Sequence, residues 1–80
     1  MTTLRNAIRA IYDQVAAPEW AALNLDALAD ILRDLSWLPE GTVALQIPAV
    51  FGSDYDRLLT ALLLVVDDTV DSPHPVVLIR

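Results

Sequence analysis

The side chains best able to do chemistry sit in one short segment. Asp26 and Asp30 lie four apart within Leu25 to Trp37, which reads as a helix, so both carboxylates project from one face. Arg33 follows Asp30 three residues later, and Ala29 leaves a small, smooth surface beside them. Trp20 and Leu23 stand just upstream, placed to fold back over the N-terminal end of that helix. Two carboxylates beside an aromatic on a rigid element suit a positively charged pocket on a partner. The same residues also have a plainer use. Asp26 falls in a first helical turn, where the dipole stabilises a carboxylate by about 0.3–1 kcal/mol. Asp30 with Arg33 is then a surface ion pair, worth about 0–1 kcal/mol.

A search for catalytic machinery returns little. The single histidine, His74, is held between Pro73 and Pro75 and reads as an ordinary loop residue. Gly41 and Gly52 are the only glycines, too few and too separated for a phosphate-cradling loop. Ser36, Ser53 and Ser72 have no His–carboxylate pair close by to activate them. No spacing of His and carboxylates fits a metal ion, and there is no cysteine. The reading is a binding protein with no catalytic residues, no cofactor and no metal.

The elements that must carry this segment can be read from apolar spacing. Thr3 to Ala16 predicts a first helix, with Leu4, Ala7, Ile8, Ile11 and Val15 on one stripe and Thr2 or Thr3 as cap. Ala17-Pro18 ends it, because a residue before proline is pushed out of the helical region. Asn24 is an N-cap for the second helix, whose buried stripe is Leu25, Leu28, Ile31, Leu32 and Leu35; Trp37 near its end is expected in the core. Pro39-Glu40-Gly41 is a stop and turn. Thr42 to Ile47 reads as a strand covered on both faces. Ser53 or Asp54 caps a third helix running to about Val66, with Tyr55, Leu58, Leu59, Leu62 and Val65 or Val66 turned inward. Leu62 to Val66 is apolar nearly all round, which predicts cover on more than one side. After an acidic, proline-bearing connector, Pro75 to Ile79 is a last strand. Two strands flanking a helix predict an α/β domain with a parallel pair.

Composition sets the class. At 80 residues the chain is long enough for one domain, residues 1–80, and its hydrophobic fraction of 55% supplies the core that so short a chain needs. Lacking cysteine, it has no disulfide framework, which favours a reducing compartment and predicts a cytoplasmic protein. The longest apolar run, Ala61 to Val66, is far short of the roughly 20 residues of a membrane span, and no targeting segment is visible near Met1. Net charge is −6, from eleven acidic residues against five arginines. That balance argues against direct nucleic-acid binding and fits a partner with a positive cleft, although an acidic surface also simply keeps a small protein soluble.

The string Pro18-Glu19-Trp20, followed by Asn24-Leu25-Asp26-Ala27-Leu28-Ala29-Asp30, resembles the barstar family of bacterial ribonuclease inhibitors. The later strand, third helix and terminal Val76-Val77-Leu78-Ile79 follow in the family's order, though the sharp part of the resemblance is Pro18 to Pro39. It implies a barstar-like fold, a small parallel β-sheet packed against helices. It also implies an intracellular inhibitor of a small secreted microbial ribonuclease with a basic active-site cleft, guanyl-specific like barnase. On this resemblance Asp30 is the anchor that occupies a substrate-phosphate position, Asp26 a flanking carboxylate and Trp20 a stacking contact. Leu23, Ala29 and Arg33 complete the partner-binding set.

Three departures accompany the resemblance. The family's opening strand has no counterpart before the first helix, so the sheet is expected to have two strands and an edge open to pairing. Ala29 stands where the best-known member has tryptophan. Ala21, Ala22 and Leu23 replace more polar or glycine-bearing positions, which suggests a target different from barnase. The acidic contact that the family makes from its third helix is not transferred, because Asp54 and Asp56 lie at the wrong end of that helix. The alternative is a barstar-like interaction module whose partner is not a ribonuclease. The sequence leaves the oligomeric state open.

Overall fold

The computed structural model describes residues 3–79. The elements follow in the order α1 (Leu4–Gln14), α2 (Leu25–Asp34), β1 (Val43–Gln46), α3 (Ser53–Asp68) and β2 (Val76–Ile79). β1 and β2 pair in parallel, with Val43 opposite Val76 and Gln46 opposite Ile79. This is the expected α/β arrangement with a small parallel sheet, and the sheet of the described residues has two strands.

Helix starts follow the local chemistry. The Thr3 hydroxyl accepts from the Asn6 N–H at 3.1 Å and begins α1; Thr2, the other candidate cap, lies outside the described residues. Asn24 Oδ1 accepts from the Ala27 N–H at 2.8 Å and begins α2, satisfying one of the donors that every helix N-terminus leaves free. At α3 the expectation of a Ser53 or Asp54 cap is corrected. Gly52, at φ +66°, precedes the helix with no side-chain cap bond, and Ser53 is already helical. Asp54 and Asp56 in the first turn supply the negative charge that the dipole favours there.

The ends of α1 and α2 are left-handed turns that come before any proline. The chain turns at Ala16, φ +51°, before Pro18 is reached. α2 stops at Asp34 instead of continuing to Trp37, because Leu35 takes a left-handed conformation, φ +45°, while its side chain is fully buried. A left-handed non-glycine residue costs roughly 1–2 kcal/mol, which burial of a leucine, worth about 1.5–3 kcal/mol, offsets. Trp37 is then only partly covered, its indole N–H donating to the Val15 carbonyl at 2.9 Å.

Ile8, Ile11, Leu28, Leu32, Leu58 and Leu62 form the centre of the core, and Leu45 and Val76 bring the sheet onto it. Only one face of the sheet is covered. Ala44, Gln46, Val77 and Ile79 are exposed, so the prediction of a strand covered on both faces is corrected: the helices lie against the Leu45 side alone. Leu63 and Leu64 of α3 are likewise more than half exposed, so the apolar run there is covered on one side only. His74 lies in the loop before β2, as expected, and is buried there. Its Nε2–H donates to the Leu38 carbonyl at 2.9 Å and its backbone N–H to Ser72 Oγ at 3.2 Å, which fixes the approach to β2. Thr69 completes that junction: its buried hydroxyl donates to the Val65 carbonyl at 2.8 Å and accepts from the Val76 N–H at 3.0 Å.

Candidate partner interface

α2 exposes a face because its apolar residues recur at three- and four-residue steps, leaving Asp26, Asp30, Arg33 and Asp34 outside. Asp26, Ala29, Asp30 and Arg33 line a shallow hollow whose other wall is Ala61 and Leu64 of α3. A second hollow lies on the opposite flank of α2, between Trp20, Ala27, Ile31 and Asp34. Asp30 lines both and forms the ridge between them. Its side chain is 83% exposed, so the carboxylate stands in solvent at the high point of the patch.

The cation beside it is directed elsewhere. Arg33 places Nε and Nη2 at 3.0 and 2.9 Å from Asp68 Oδ2, whereas its nearest approach to Asp30 is 3.8 Å from Nη1 to Oδ1. Asp67 and Asp68 sit at the C-terminal end of α3, which already carries partial negative charge and has no basic residue in its last turn. That local excess draws Arg33 across from α2. Arg33 therefore makes its closer contacts with Asp68 than with Asp30, and α2 is tied to α3.

Trp20 is 79% exposed and lies along the Ala27–Asp34 flank, not over the N-terminal end of α2 as its position upstream suggests. The connector that presents it is pinned by the Tyr12 hydroxyl, which donates to the Ala22 carbonyl at 2.6 Å. Burial pushes the Tyr12 phenol above its usual pKa of 10.0, the neutral form being the one that this pocket accepts. Leu23 departs from the predicted set. It packs against the core and lines a hollow with Arg9, Tyr12 and Asp13 on the α1 side. Trp20, Asp26, Ala29, Asp30 and Arg33 are thus brought to one surface, and Leu23 is not.

Sequence reasoning missed Leu64 and Ala61 as a wall, Asp34 beside Trp20, and Asp68 as the partner of Arg33. The exposed Leu64 was hidden in a run that reads as buried. Arg33 and Asp68 are 35 residues apart, beyond any helical spacing rule.

The exposed face of α2 thus carries a helix-borne carboxylate, in only a long ion pair with its neighbouring cation, with an exposed indole on its flank. The family model of Barstar (barnase inhibitor) matches residues 1–72, and the chain belongs to this family. No curated protein and no solved structure matches it. Among the described residues no helix is long and apolar enough to cross a membrane.

Proposed function

We propose that this chain is a cytoplasmic inhibitor of a secreted, guanyl-specific microbial ribonuclease, and that it closes the active site by inserting α2. Asp30 takes the place of an RNA phosphate, Asp26 adds a second charge, and Trp20 stacks on the rim, with Ala29 and Arg33 at the periphery. The observation that carries this reading is the 83% exposed Asp30 carboxylate on the ridge of α2, with Arg33 turned towards Asp68. A ribonuclease stabilises developing phosphate charge with cationic side chains, so its empty cleft is strongly positive. A carboxylate held there makes short, charge-assisted hydrogen bonds and excludes substrate. The inhibitor performs no chemistry. The surrounding net charge of −6 speeds encounter with a basic enzyme.

Titrating the protein against a panel of small microbial ribonucleases, with RNA cleavage and calorimetry as readouts, tests the reading. Stoichiometric inhibition of a guanyl-specific member is expected. Asp30→Ala should weaken binding by about 2–5 kcal/mol, the usual cost of truncating a desolvated charge anchor. Asp13→Ala, at an exposed position of α1, should change it by no more than about 0.5 kcal/mol. Equal losses in the two variants would remove Asp30 from its role. Failure to inhibit any ribonuclease, together with recovery of a different protein that loses binding on Asp30→Ala, would favour an interaction module of the same family with another target.

A further inference from the structure

The parallel ladder fixes which backbone groups of β1 are free. The Val43 N–H donates to the Pro75 carbonyl at 2.8 Å, so Val43 and, two residues on, Leu45 direct their N–H and C=O groups towards β2. Alternation turns those of Ala44 and Gln46 the other way, to the outer edge. At Gln46 that edge is occupied by a side chain imitating a strand. Gln14 Nε2 donates to the Gln46 carbonyl at 2.9 Å, and the Gln46 N–H donates to Gln14 Oε1 at 2.8 Å. Both bonds are solvent-exposed, so the Gln14 amide can be exchanged for other partners. On the outer edge of β2 the Val76 N–H is held by the buried hydroxyl of Thr69, which cannot be exchanged as an exposed amide can. The edge held by a releasable side chain is that of β1.

From this geometry we infer that the outer edge of β1 pairs with the same edge of a second copy of this chain, and that Gln14 competes with that pairing. Charge identifies the occupant. A chain of net charge −6 repels itself except where charge is absent, and Gly41–Ser53, which contains β1, is its longest stretch without a charged residue. An antiparallel pair across a two-fold axis at Leu45 sets Ala44 opposite the partner's Gln46. Each such pair exchanges two N–H···O bonds, and the interface is self-complementary and closed. The exposed Val77 and Ile79 of each copy then share one face of a four-stranded sheet. Neither lysine nor proline interrupts Val43–Gln46, the usual devices that keep an edge solitary; Pro48 comes only beyond it.

Amide exchange followed by NMR on the wild-type chain, together with sedimentation equilibrium, tests the inference without a ribonuclease. The Ala44 amide should exchange more slowly as protein concentration rises from about 0.05 to about 2 mM, in step with dimer formation; contacts this few give a weak dimer. Gln14→Ala removes the competitor, and the dissociation constant should fall roughly fivefold to tenfold. Adding Ala44→Pro deletes only an outward N–H, so it should abolish the dimer while leaving a cooperative thermal transition. Three results would overturn the proposal: a chain that stays monomeric with or without Gln14, a dimer that forms with no change at the Ala44 amide, or a dimer indifferent to Ala44→Pro. The last two would place the contact elsewhere, for example on Leu63 and Leu64.

Discussion

Tyr12 does two things with one side chain: its ring fills the space between α1 and the connector, and its hydroxyl holds the Ala22 carbonyl in place. The raised phenol pKa has a consequence with a definite sign. Below the unfolded value of about 10 the group is neutral in both states, and its full contribution to stability is present. Above it the unfolded chain ionises while the folded chain resists, so stability falls until the pH passes the folded pKa. Tyr12→Phe should therefore cost about 0.5–1.5 kcal/mol at neutral pH through the lost hydrogen bond. That deficit should shrink as the pH rises above about 10, as read by urea denaturation of both proteins; a constant gap would show that burial does not act on the phenol. At this scale the sequence is informative about type and poor about direction. Asp26 and Asp30 on one face follow from helical spacing alone. The flank on which Trp20 lies depends on a bond from Tyr12 across ten positions, and the closer pairing of Arg33 depends on an aspartate at the end of a different helix.

α2 is the element that turns these residues into a surface, and Asn24 caps its first turn. Asn24→Ala should destabilise the protein by about 0.5–2 kcal/mol and speed hydrogen exchange at the Ala27 amide, which would lose its acceptor. Because Asp26 lies in the turn so loosened, ribonuclease binding should weaken as well, by less than on loss of Asp30. Unchanged stability together with unchanged exchange at Ala27 would mean that the cap bond contributes nothing. Asn24 is legible because capping is local: residue type, φ/ψ and acceptor all lie within four positions. The end of α2 is not. Nothing in Leu35-Ser36-Trp37 marks a left-handed residue, and the turn exists because Leu35 is worth more in the core than in another helical turn. The two-sided cover expected for β1 failed for a related reason: in a four-residue strand whose open face carries only Ala44 and Gln46, the alternation is too short to display itself.

For the molecule as a whole, the parallel pair was readable from the order strand, helix, strand, since a crossover of that kind has few alternatives. The open face of the sheet was not, because it depends on where three helices crowd. Those helices also keep the two indoles in different environments. Trp37 is held to the end of α1 through Val15, whereas Trp20 stands on the flank of α2, almost wholly in water. The protein thus carries its own optical reporter. Seating Trp20 against an enzyme should shift its emission to shorter wavelength, while Trp37 supplies a steady background within the same spectrum. With Trp20→Phe the shift should vanish although calorimetry still registers complex formation. If the blue shift survives that substitution unchanged, it does not come from Trp20, and the partner does not seat that indole.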